Sequence, residues 1–298
     1  DVVIALPGND VIIRSFEMGL LPKEELSTAV SFEAKKYIPF KTEDLVSDFQ
    51  LKPDRKNKKN LVLFFSIKKE ILDKYISVVD QLGLTIINIE YSAFGLLRLL
   101  DLIGVKKRGI FGIIGIDLEE ETNFTVLEER FPLFSRDINL TLELETETQT
   151  SEASGPSRFW ERLKNEIRIS ADYYHRKFPS KELKTLMVIA NPAYKSDIEI
   201  MGNELGLSVE FMDIFKYTGQ QIKFSLGSIK AYSASLGGVI KSPLRLNVLA
   251  AREKIKEIKA LEAELETALP APPLRLNYRF ILLSFFIVLL GFVLGLYQ

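Results

Sequence analysis

Few residues in this chain could do chemistry, and their spacing narrows the choice. There is one histidine, His175, and no cysteine. Thiolate catalysis, disulfides and zinc–sulfur sites are therefore excluded. A Ser-His-Asp triad or a histidine metal site would have to use His175, which stands in the polar stretch Tyr174-His175-Arg176-Lys177. A half-exposed histidine at a helix end is the simpler reading. There is no Walker loop, nucleophile motif or ligand cluster of recognised spacing. Glu119-Glu120-Glu121 can be read as a metal-binding group or as a solvated acidic turn. The lysine-rich stretch 52–59 reads as a solvated hairpin tip, or as a contact for anionic lipid. The formal net charge of -1 gives no reason to expect nucleic acid as a partner.

The elements that must carry these residues alternate. With 47% apolar and 27% charged residues, the 298-residue chain has the mix of a globular protein with room for two domains. Val2-Val3-Ile4-Ala5-Leu6 and Ile12-Ile13-Arg14-Ser15-Phe16-Glu17 are strand-like. Pro22 and Glu24 open a helical pattern that stops before Pro39. The continuous apolar run Leu61-Val62-Leu63-Phe64-Phe65-Ser66 predicts a buried strand. Ile71, Tyr75, Val78, Val79 and Leu82 then recur at helical spacing, followed by a strand over 84–89 and a helix over 93–100. A second unit begins at Gly109, with strands over 110–116, 125–128 and 134–138 and a hairpin around Glu129-Arg130. An aperiodic acidic stretch over 143–157 reads as a loop. Helices over 159–174, 195–205 and 229–240 alternate with strands over 186–190 and 209–212, which argues α/β.

From residue 246 to 269 the pattern is a charged helix with Ile255, Ile258, Leu261 and Leu265 on one face. Pro270, Pro272 and Pro273 break it. Residues 280–297 carry no charge, and with 276–279 they reach the ~20 residues that cross a bilayer as a helix. Tyr278 and Tyr297 flank the run, and Arg275 and Arg279 precede it. This predicts a single-pass membrane protein with residues 1–279 in the cytoplasm. The chain starts inside a strand and stops one residue after the apolar run, as a piece cut from a longer protein would.

Several stretches together resemble one family. Ala5-Leu6-Pro7-Gly8 and Glu33-Ala34-Lys35-Lys36-Tyr37-Ile38-Pro39-Phe40 are similar to the E-A-x-x-Y-I-P-F signature of PilM-type pilus-assembly proteins. Ile89-Glu90-Tyr91-Ser92-Ala93-Phe94-Gly95-Leu96-Leu97-Arg98 resembles that family's domain crossover. Asn165-Glu166-Ile167-Arg168-Ile169-Ser170-Ala171-Asp172-Tyr173-Tyr174 resembles its E-I-x-R-S-x-D-Y helix, and Ser233-Ala234-Ser235-Leu236-Gly237-Gly238 its last small-residue helix. The resemblance covers roughly residues 1–240. It implies an actin-like ATPase (ribonuclease H-like) fold. A first half spans 1–108 with a small subdomain inserted at about 13–85, and a reduced second half spans 109–242.

The resemblance also implies a nucleotide site and a partner. ATP with magnesium would lie between the halves, with Asp117, Thr122 and Asn123 of the second phosphate loop and Glu166 and Arg168 of the following helix as the matching residues. The expected glycine of that loop is Leu118, and three glutamates follow. Like charges a few ångströms apart repel by about 1 kcal/mol even in bulk water. The expected glycine-rich adenine stretch reads Asn191-Pro192-Ala193-Tyr194. A degenerate site on a scaffold or adaptor, with no catalytic residue and no metal, is therefore the expectation, and an active ATP-binding member of the fold is the alternative. Residues 243–279 resemble the start of PilN, the family's membrane partner. Its docking segment would correspond to Leu246, Asn247, Val248 and Leu249, placed just ahead of the membrane helix. The groove for it is expected beside the inserted subdomain, near the 33–40 signature. The tether over 240–246 reaches about 20 Å, so docking is expected on the chain's own fold or on a neighbouring protomer as a homo-oligomer. The remaining partners would be other inner-membrane proteins of a pilus or secretion system, of which the GspL-like type II secretion component is the rival reading. A plain linker is the alternative for 244–250.

Overall fold

The computed structural model describes residues 1–102, 104–105, 107–116, 122–140, 155–212, 244 and 246–268. Two compact units divide the chain, Asp1–Glu253 and Lys254–Gln298. In the first unit, β1 (Val2–Leu6) pairs in parallel with β5 (Ile86–Tyr91). Between them the chain builds a separate antiparallel sheet of three strands in the order β2-β4-β3. Its members are β2 (Val11–Gly19), β3 (Leu45–Asp54) and β4 (Lys59–Lys68), with α1 (Lys23–Ala34) and α2 (Lys69–Gln81).

The central strand explains its own composition. β4 is buried from Asn60 to Ile67 because it is covered on both faces and hydrogen-bonded on both edges. Val62 and Phe64 face Val30, Ala34, Phe16 and Leu45, so α1 closes one side of the sheet. The expected loop over 52–59 is shorter than that. Lys52, Pro53 and Asp54 belong to β3, and only residues 55–58 turn. Pro53 is tolerated there because β3 is an edge strand. Lys52 is paired with Glu128 at 2.8 Å and does not stand free at a tip.

The second sheet follows α3 (Ser92–Leu102). It comprises β6 (Ile110–Gly115), β7 (Thr122–Glu128), β8 (Phe131–Ile138), β9 (Thr185–Ile189) and β10 (Ser208–Met212), in the order β10-β9-β6-β7-β8. β6, β9 and β10 run parallel, while β7 and β8 form the antiparallel meander. The expected hairpin at Glu129-Arg130 is present, with Glu129 in the left-handed region at φ 60. α3 packs Leu96, Leu99 and Leu100 on Phe111, Ile113, Leu127 and Met187. α4 (Gly155–Lys177) buries Leu163, Ile167 and Tyr174, and α5 (Lys195–Glu204) precedes β10. α6 spans Val248–Ala268. His175 lies in the last turn of α4, where its Nε2 accepts from the Leu183 N–H at 3.2 Å. The expected helix over 229–240 lies outside the described residues, as does the whole expected membrane span 280–297. Among the described residues no helix is long and apolar enough to cross a membrane.

Candidate functional site

A buried polar junction joins the turn after β1 to the β7–β8 edge. Asn123 of β7 is 3% exposed. Its amide nitrogen donates to the Tyr91 hydroxyl at 2.5 Å and to the Asp137 carboxylate at 3.0 Å. Its amide oxygen accepts from Thr125 at 2.7 Å. Tyr91 in turn donates to Asp137. Gly8 lies against the same carboxylate so closely that a Cβ would fall 1.6 Å from Asp137 Oδ2, so only glycine fits there. Asn139 donates to Asn9 at 2.8 Å, tying the same turn to the end of β8.

One residue from that turn, Glu90 beside Tyr91, forms a second buried polar unit. Both its carboxylate oxygens meet the Arg98 guanidinium of α3, one at 2.6 Å. Glu90 is 1% exposed and Arg98 6%. Burial pushes the Glu90 carboxyl up to about 7, against the pull of Arg98. Sequence reasoning did not single out this pair. The only available signal was one acidic residue ending an apolar strand and one basic residue inside an apolar helix.

The segment before α6 is held on the three-stranded subdomain. Leu244, Leu246 and Val248 are buried. Leu244 sits among Leu97, Leu100, Phe111 and Leu127 at the end of α3. The Asn247 backbone N–H donates to Asp48 Oδ2 of β3 at 2.8 Å, and Arg252 pairs with Asp73 of α2 at 2.6 Å. The Asn247 side chain accepts from the Leu249 N–H at 3.0 Å, which is the N-cap arrangement that starts α6. The acceptor for the segment is thus β3, and the expected 33–40 signature supplies none of these hydrogen bonds. Of the two candidate second anchors, Val248 is fully buried and Leu249 only half-buried.

Residues 1–149 match the family described as type IV pilus assembly protein PilM. The chain belongs to the PilM family. No curated protein matches it. Among solved structures, it is similar to a PilM-PilN type IV pilus biogenesis complex at 19% identity, over 80% of both chains, with a TM-score of 0.64. It also resembles the cytoplasmic domain of EpsL, an inner membrane component of the type II secretion system of Vibrio cholerae, at 12% identity and TM-score 0.46, over 83% of this chain and 76% of that one. A Bacteroides thetaiotaomicron protein with an actin-like ATPase fold follows at 10% identity and 0.38, over 71% and 68%. The fold of this PilM-family chain is α/β and is shared with the PilM-PilN structure.

The residues expected to hold a nucleotide are not gathered into one cradle. Thr122 and Asn123 lie inside β7, not on a loop, and both are buried. Asn123 spends its amide on the junction described above. Glu166 reaches across to Arg136 of β8 at 2.8 Å, and Arg168 donates to Asn165 on its own helix at 3.1 Å. Asn191 caps a short 3-10 turn by accepting from the Ala193 N–H, and the Tyr194 ring packs on Trp160 with centroids 5.6 Å apart. Asp117 and Glu119-Glu120-Glu121 lie outside the described residues. Among the described residues, no group of three His, Cys, Asp or Glu side chains could hold a metal. Of the described candidates, Asn123, Glu166 and Arg168 are engaged within the protein, while the Thr122 hydroxyl is buried with no hydrogen-bond partner among the described residues.

Proposed function

We propose that this PilM-family chain is a scaffold or adaptor of a type IV pilus or related secretion complex, fixed at the cytoplasmic face of the bacterial inner membrane and without ATPase activity. One observation carries the reading. The Asn123 amide, which the family resemblance aligns with the phosphate loop, has its oxygen and its nitrogen engaged inside the protein. Turning it toward a ligand would break its hydrogen bonds to Tyr91, Asp137 and Thr125, each worth about 0.5–1.5 kcal/mol. The engagement of Glu166 with Arg136 and of Tyr194 with Trp160 supports the same conclusion.

The adaptor part of the reading rests on the segment ahead of α6. Leu246 and Val248 each bury a side chain worth roughly 1.5–3 kcal/mol, and Asp48 fixes the register through the Asn247 N–H. A chain that holds its own 244–252 segment on the three-stranded subdomain joins the cytoplasmic fold to whatever follows. Pilus and secretion proteins of the inner membrane are the proposed partners, with residues 280–297 as the membrane anchor.

The test is the release of inorganic phosphate from magnesium ATP by the full chain. No turnover above background is expected. Phosphate release that saturates with ATP and requires magnesium overturns the scaffold reading.

A further inference from the structure

Beside the polar junction, a cavity of about 440 Å³ opens between β2, β8 and α4. Arg14 of β2, Arg136 of β8, and Arg176 and Lys177 of α4 line it, and no lining residue is acidic. Glu166 neutralises Arg136 from the side at 2.8 Å. Arg14, Arg176 and Lys177 have no carboxylate partner among the described residues. Arg14 is spent on carbonyls, donating to Ile13 O at 2.8 Å and to Tyr37 O at 3.3 Å, and Lys177 donates to Ser15 O.

Two features show that the cavity is built for an anion. The Ser15 hydroxyl lines it, is 5% exposed, and has no hydrogen-bond partner. Burial, with Arg14 close by, brings Lys177 down to about 8, so the free cavity strains its own charge. A helix C-terminus attracts cations, which accounts for Arg176 and Lys177 at the end of α4. It does not account for Arg14 and Arg136 facing them from two strands of different sheets. The far wall is aromatic, with Phe134 and Tyr173 rings 5.7 Å apart.

We propose that this cavity binds a phosphate group carried on a small organic moiety. Guanidinium forks from two or three sides match the tetrahedral oxygens of a phosphate, and Ser15 supplies a short hydroxyl donor. The cavity is too large for the inorganic ion alone. Phe134 and Tyr173 give the organic part a flat surface. A concave wall of one charge sign raises the local concentration of such anions and makes binding fall with salt. The cavity adjoins the polar junction, since Asn123 donates to Ser135 at 3.3 Å and to the Arg136 carbonyl at 3.4 Å, but its basic residues are not among those expected to hold a nucleotide.

The experiment uses the full chain in a neutral detergent, titrated calorimetrically with inorganic pyrophosphate, AMP and dihexanoyl phosphatidylglycerol. At least one should bind, with affinity weakened tenfold or more in Arg14→Ala/Arg176→Ala and weakened by added salt. Preference for AMP identifies a free phosphate ester as the source, and preference for the phospholipid identifies a headgroup. Arg14 and Arg176 are both exposed, so the variants keep the fold. Arg176→Glu alone, on the last turn of α4, gives an independent reading of the same loss. No binding by any probe through the millimolar range overturns the proposal. So does binding that the two variants leave unchanged.

Discussion

Where β5 passes into α3, a carboxylate and a guanidinium meet out of contact with water. The Glu90–Arg98 pair has to recover in hydrogen bonds what it loses in hydration, and such pairs rarely gain stability over an apolar filling of the same shape. Glu90→Ala should therefore cost about 3–5 kcal/mol in urea denaturation, because the buried Arg98 charge loses its carboxylate. The double replacement Glu90→Leu/Arg98→Met should recover most of that loss. The pH dependence has a definite sign. The folded carboxyl sits at about 7, above its ordinary 4.5, so its contribution is fully present below pH 4.5 and is lost as pH rises through 7. Stability should fall from pH 5 to pH 8 more in the wild type than in the double variant. Equal slopes in the two proteins would mean that Glu90 stays ionised throughout. At this scale the sequence was least informative. Gly8, Tyr91, Asn123 and Asp137 come from four places in the chain, and no local spacing links them.

Elements were easier to read than contacts. The unbroken apolar run 61–66 announced a strand covered on both faces, and β4 is one. The alternation of β3 was present in Leu45, Phe49 and Leu51, which pack on the α1 side. It was hidden by Lys52 and Pro53, residues that mark loops elsewhere and are tolerated on an edge strand. The body of α4 was legible over 159–174 from its amphipathic stripe, but the helix starts at Gly155, inside the stretch expected as a loop, and runs to Lys177. Its pairing with β2 and β8 was not legible, because Arg14 and Arg136 lie more than a hundred residues apart in the chain. For the segment before α6, the sequence pointed to Leu246 and to Val248 or Leu249 as anchors and to a groove beside the inserted subdomain, and the structure describes a contact on β3 of that subdomain. Nothing in residues 45–54 marks Asp48 as the group that meets the Asn247 N–H. Replacing Leu246 and Val248 by Asp should release this segment, seen as new protease cleavage within 244–250. Asp48→Ala alone should give the same cleavage more slowly, since one charge-assisted hydrogen bond is worth about 1.5–3 kcal/mol. Cleavage unchanged in both variants would mean that the segment is a plain linker.

On the scale of the whole molecule, the prediction concerns orientation. By the positive-inside tendency, Arg275 and Arg279 ahead of the uncharged 280–297 run would keep everything before them in the cytoplasm. The native chain has no cysteine, so a single one at Asn57 in the turn 55–58 reports cleanly. It should resist a membrane-impermeant thiol reagent in intact cells and react once they are permeabilised. Labelling in intact cells would reverse the topology.

Asp48 and Lys52 lie four residues apart on β3 and hence on one face of its sheet. Asp48 grips the segment ahead of α6, while Lys52 is pinned to Glu128 at the end of β7, which Lys181 also clamps. A pull on the chain at Val248 therefore enters β3 at Asp48. It runs along the strand against the β3–β4 hydrogen bonds, which are loaded together in shear. It leaves through Lys52 into the five-stranded sheet. Tension is shared among many bonds before any one breaks, so the subdomain works as a mechanical splice between the tail and the larger sheet.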